Sequence, residues 1–125
     1  MKQNRSRQIH ADIEPKSWAA LVKLTAHWPA AKRTQGYLCG FALQSLANDL
    51  REFGSASVVR PLNRGSKHVQ VRTFDDNVID TWDELGQRYG SLNCALRVAI
   101  AQLITSIRAA NEYDRTGGGS DSIAA

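Results

Sequence analysis

His68-Val69-Gln70-Val71-Arg72-Thr73-Phe74, followed by Asp75-Asp76-Asn77, is the stretch on which the fold turns. Polar and apolar side chains alternate through it with a period of two, the spacing of a strand with one buried and one wet face. Val69, Val71 and Thr73 point one way; His68, Gln70 and Arg72 point the other. Asp75-Asp76-Asn77 then supplies a helix cap and acids at the positive end of a helix dipole. Val78, Ile79, Trp82, Leu85 and Tyr89 recur at helical spacing. Gly90 closes that helix and Ser91 caps the next, which runs from Leu92 to about Asn111. Its stripe is Leu96, Ile100, Leu103, Ile104 and Ile107, with Ala95, Val98 and Ala99 beside it.

The same order stands upstream. Gln8-Ile9-His10-Ala11-Asp12-Ile13 alternates, with Ile9, Ala11 and Ile13 on one face. Glu14-Pro15 ends the strand and opens a helix, since proline is tolerated in the first turn. Trp18, Leu21, Val22, Leu24 and Trp28 form its stripe, and Pro29 is expected to stop it. After Ala30-Ala31-Lys32-Arg33, Thr34 caps a second helix from Gln35 to about Leu50. Sliding Thr34 onto Ser91 lays Cys39, Leu43, Leu46, Ala47 and Leu50 on Leu96, Ile100, Leu103, Ile104 and Ile107. A slightly different offset lays Trp18, Leu21 and Leu24 on Ile79, Trp82 and Leu85, with the difference taken up by the inter-helix loop. One folded domain is expected: a flexible basic arm at 1–7, a strand-helix-helix unit at 8–52, a linker at 53–67, a second unit at 68–112 and a disordered tail at 113–125.

Composition bounds what such a chain does. The 125 residues suit one small core and leave no room for a large enzyme fold. No apolar run approaches the length of a membrane span, and the basic N-terminus has no apolar run behind it, so neither a membrane nor a secretory signal is expected. Cys39 and Cys94 are too few for a disulfide framework and lack metal-ligand spacing, which fits a reducing cytoplasm. There is no phosphate-binding glycine loop, nucleophile elbow or zinc spacing, so neither enzyme activity nor a metal or other cofactor is expected. His10, His27 and His68 are scattered; Trp18, Trp28 and Trp82 lie on apolar stripes and are assigned to the core. Lys and Arg number 16 against 12 acids, a mild pointer to an anionic partner.

A strand of this length is not stable alone. Two such units solve the problem together: the strands pair antiparallel, four helices cover one face, and the other face stays wet. This arrangement, with the run Gly90-Ser91-Leu92-Asn93-Cys94-Ala95-Leu96-Arg97-Val98-Ala99-Ile100, resembles the ribbon-helix-helix DNA-binding family of the Arc and MetJ repressors. The stretch Pro29 to Arg33 departs from that family's short turn. One chain here supplies both strands, as in tandem versions found among accessory proteins of conjugative DNA transfer. The fold class expected is thus mainly α with a short two-stranded antiparallel β-ribbon, a tandem ribbon-helix-helix pseudo-dimer.

The resemblance implies that the wet face enters the major groove of double-stranded DNA, with Gln70, Arg72, His68, Gln8 and His10 as base contacts. Asp12 shares that face as an acid. Ser91 and Thr34 would hold phosphates at helix N-termini, with Lys32, Arg33, Arg5, Arg7, Arg64 and Lys67 as further phosphate contacts. It also implies a bacterial cytoplasmic setting in plasmid or conjugative transfer, DNA maintenance or transcriptional repression. Further copies of the chain on adjacent sites and other DNA-transfer or partition proteins would be partners. There are two alternatives, the first of a different class. One is a helical protein-interaction module, an antitoxin-like adaptor with no direct DNA readout. In the other, only the second half is a ribbon-helix-helix unit, and it dimerises between chains.

Overall fold

The computed structural model describes residues 5–56 and 60–115. Alternating polarity makes strands of Arg7–Ile13 (β1) and Lys67–Thr73 (β2). Each begins one residue earlier than its alternation predicts, and β2 stops at Thr73, leaving Phe74 outside it. They pair antiparallel, with Gln8 opposite Arg72, His10 opposite Gln70 and Asp12 opposite His68. Ile9, Ala11, Ile13, Val69 and Val71 are buried beneath the ribbon. Both strands of the ribbon come from the one chain.

The helices are α1 (Pro15–Leu24), α2 (Gln35–Phe53), α3 (Asp76–Tyr89) and α4 (Leu92–Arg115). Helix α1 ends well before Pro29. At Thr25 the backbone leaves helical geometry (φ −101°, ψ 14°), and the next N–H, of Ala26, tightens onto the Lys23 carbonyl at 3.2 Å; the buried Thr25 hydroxyl donates to the Leu21 carbonyl at 2.9 Å. Trp28 then turns back onto the Thr25 carbonyl at 2.9 Å, and a 3₁₀ turn follows over Ala30–Lys32. The expected caps form: Thr34 Oγ1 accepts from the Tyr37 N–H at 3.2 Å and Ser91 Oγ from the Cys94 N–H at 3.0 Å. Asp75 accepts from the Asn77 and Val78 N–H groups. Gly54 and Gly90 close α2 and α3 at φ 74° and 89°, a region that carries no steric penalty only for glycine. Helix α2 continues past Leu50 to Phe53, and α4 continues to Arg115 through part of the expected tail. Residues 1–4 of the expected arm and 116–125 of the expected tail lie outside the described residues.

Packing crosses the two halves of the chain. Helix α2 lies on β2, α4 lies on β1, and the two helices pack on each other, with α3 and α1 against α4. Leu38, Leu43, Leu46, Leu96, Val98 and Ile100 form the centre, and Trp82 is buried beside them. Trp18 and Trp28 pack half-buried against this core. Both cysteines are free; Cys39 is buried, which pushes its thiol up to about 12, while Cys94 is half-buried. One polar pair crosses the α2–α4 contact, Gln102 donating to the Asp49 carboxylate. No single helix among the described residues is long and apolar enough to cross a membrane.

The segment expected as a linker is docked along its described second part. Leu62 donates to the Arg97 carbonyl at 3.3 Å and accepts from the Arg97 guanidinium at 2.9 Å. Asn63 donates to Glu14 at 3.0 Å, and the Gly65 N–H reaches the Asp12 carbonyl at 3.3 Å. Residues 57–59 lie outside the described residues. At Gly65 a Cβ would stand 2.6 Å from both Glu14 Cα and the Ile13 carbonyl oxygen, backbone atoms that cannot swing aside. Gly65→Ala is therefore expected to push the segment off the end of β1. The cost should be about 1–3 kcal/mol, measured by urea unfolding.

Candidate nucleic-acid interface

The outward face of the ribbon carries Gln8, His10, Asp12, His68, Gln70 and Arg72, all exposed. Strand alternation puts them there, and the register sets them in three cross-strand pairs. At one end Arg72 donates to Gln8 Oε1 at 2.7 Å, and Gln8 Nε2 donates to Gln70 Oε1 at 2.9 Å. At the other end Asp12 and His68 Nδ1 lie 2.8 Å apart. His10 stands between, its ring centroid 5.6 Å from that of His68. All five residues assigned to base contacts from sequence are thus brought onto one face, with Asp12 among them.

Two helix starts flank this face. Gln35, the first residue of α2, accepts the Gln70 N–H on its side-chain oxygen at 2.9 Å. Asn93, in the first turn of α4, donates to the His10 carbonyl at 3.2 Å. Gln70 and His10 are register partners, so the two helices grip opposite edges of the ribbon at the same level. Thr34 and Ser91 stand exposed at these starts. The first N–H groups of each helix have no intrahelical acceptor, and the dipole adds positive potential there. Lys32 and Arg33 lie exposed just before Thr34, and neither pairs with a carboxylate among the described residues.

Two of the expected phosphate contacts are committed elsewhere. Arg7 belongs to β1, not to a free arm, and its side chain turns to α3. Nε and Nη2 bond the two Asp83 oxygens, each at 2.9 Å. These hydrogen bonds, and then the charge of Asp83, raise the Arg7 pKa and hold it to this partner. Arg5 reaches Asp76 at 3.5 Å and Asp80 at 3.3 Å on the same helix. The acids of α3 thereby neutralise the described end of the basic arm. Arg64 is exposed and Lys67 half-buried at the start of β2, at the Asp12 end of the ribbon.

Gln35, Asn93 and Asp83 escape the sequence reading. Each occupies a solvent-side position in its helix, where periodicity is silent, and each has a partner far along the chain. The only local signal is a polar residue in the first turn after a cap, at Gln35 and Asn93. Arg97 is noticed in sequence only as part of the second-helix opening; it is largely buried and ties Asn93 at 2.9 Å to the docked segment at Leu62.

Comparison with known protein families, with curated proteins and with solved structures returned no match. The interface therefore stands on its geometry. Gln35→Ala removes the acceptor of an edge N–H at a solvent-exposed position. It is expected to speed amide exchange at Gln70 by about two- to tenfold, the range of one ordinary hydrogen bond. Exchange at Val69 and Val71 should change much less, as followed by NMR.

Proposed function

We propose that this chain is a sequence-specific double-stranded DNA-binding protein of ribbon-helix-helix type, in which one chain supplies both strands. The outer face of the ribbon enters the major groove, and the starts of α2 and α4 hold the phosphates on either side. One observation carries this: an exposed polar ribbon gripped at opposite edges, at the same register pair, by two helix N-termini. A two-stranded ribbon fits the width of the major groove, and its flanks then face the two sugar-phosphate backbones. Gln70 and Arg72 offer donors to base edges, while Thr34, Ser91, Lys32 and Arg33 position the protein without reading sequence. The element order, strand-helix-helix followed by strand-helix-helix, supports the tandem arrangement. The matching burial of Cys39, Leu43, Leu46 and Ala47 with Leu96, Ile100, Leu103 and Ile104 supports it too. The process served, whether conjugative transfer, plasmid maintenance or repression of transcription in a bacterial cytoplasm, is proposed from the family resemblance.

Selection of bound sequences from a random duplex pool tests the proposal directly. The chain should enrich a defined site, with an affinity that falls steeply as salt rises. Replacing both Gln70 and Arg72 with Ala should abolish preference among sequences and leave the thermal unfolding curve within about 0.5 kcal/mol of wild type, since both are surface positions. Protection of the same site by that double variant rules out the ribbon as the reading surface. Replacing Lys32 and Arg33 with Ala should weaken binding to all sequences alike. The slope of log affinity against log salt should become shallower by about 0.9 for each phosphate that these two cations neutralise.

A further inference from the structure

The register defines an approximate two-fold axis through the central His10–Gln70 pair. Half a turn about it exchanges Gln8 with His68 and Asp12 with Arg72. One mirrored pair of the outward face, Asp12 and Arg72, thus carries opposite charge. At one end the amide oxygens each accept one bond inside the protein, Gln8 Oε1 from Arg72 and Gln70 Oε1 from Gln8. The full positive charge and the largest set of unused donors there belong to the guanidinium of Arg72, with the remaining amide N–H groups of Gln8 and Gln70 beside it. At the other end Asp12 Oδ1 takes the Nδ1–H of His68, leaving Asp12 Oδ2 and, in the neutral ring, His68 Nε2 as acceptors. Both side chains are more than half exposed, 62% for Asp12 and 52% for His68, so neither is hidden from a partner.

Resting on the DNA-binding function proposed above, we propose that the ribbon reads a non-palindromic site in one fixed orientation. Its Gln8–Arg72 end seats on guanine and its Asp12–His68 end on the exocyclic amine of cytosine or adenine. Guanine shows two acceptors, O6 and N7, in the major groove, which suit the donor end. Cytosine N4 and adenine N6 are donors, which suit the acceptor end. A palindrome would present the same base edge to Asp12 and to Arg72, and one of the two would meet a like partner. Asp12 is therefore a specificity-determining residue, and its charge selects against the mirrored half-site.

Selection from a random duplex pool with the whole chain is expected to return a site whose halves differ at mirrored positions, guanine under Arg72 and an amine-bearing base under Asp12. Asp12→Arg places a guanidinium at both ends. It is expected to shift preference roughly tenfold to a hundredfold toward a palindrome made by duplicating the guanine-bearing half. Asp12→Asn keeps the size of the side chain and is expected to lose discrimination at that half without gaining the palindrome. A palindromic wild-type site overturns the inference and leaves DNA binding standing. So does an Asp12→Arg protein that keeps the wild-type order of preference, or full discrimination retained by Asp12→Asn. Absence of any salt-dependent enrichment from the pool overturns the DNA-binding function itself, and this inference with it.

Discussion

Antiparallel pairing of β1 with β2 is the constraint from which the other features follow. Seven residues of strand cannot hold their shape alone in water, and two of them make only a marginal ribbon. The ribbon persists because one face, Ile9, Ala11, Ile13, Val69 and Val71, is sealed by helices. Period-two alternation makes the register all-or-none: a slip of one residue would turn that apolar set to water and bury Gln8, His10 and Arg72. The burial that fixes the register therefore also fixes which side chains face outward. Fold and candidate site are two sides of the same pairing.

The crossing of halves joins the two parts of the chain in one core. Strand β1 is covered by α4 and β2 by α2, so neither half can complete its own core. Polar contacts reinforce the crossing at separate places. Gln35 and Asn93 pin the ribbon edges, Arg7 locks β1 to α3, and Arg97 ties the docked segment to α4. Each uses a backbone group or a bidentate geometry, which fixes position more tightly than apolar contact does.

What is legible in the sequence is local. Alternation in 68–74 and 8–13 marks both strands and the sidedness of all six outward residues. Thr34, Asp75, Gly90 and Ser91 announce helix ends by cap chemistry that depends on a few neighbouring residues. The end of α1 is misplaced by pattern because Pro29 is a strong breaker, whereas the chain already tightens into i→i−3 turns at Ala26 and Trp28, which no pattern reveals. Arg7 reads as part of an arm because its partner, Asp83, lies 76 residues away. The segment at 60–66 reads as linker because its glycine and proline content marks a turn equally well whether free or docked. The length of α4 beyond Asn111 is hidden by polar residues that are compatible with both helix and tail.

The ion pairs of α3 change the meaning of the net charge. Arg5 and Arg7 contribute to the total of +4 but are already balanced by Asp76, Asp80 and Asp83. The cations left free near the ribbon are then unevenly placed. Lys32 and Arg33 precede the start of α2, whereas Gly90-Ser91-Leu92-Asn93-Cys94 at the start of α4 contains no basic residue. The helix dipole and capping geometry are shared by both flanks, but full positive charge immediately before the helix start stands on one flank only. The ribbon face is unequal along its length in the same manner, with Arg72 at one end and Asp12 at the other. The outward ribbon face and the helix starts beside it are thus each unequal in charge.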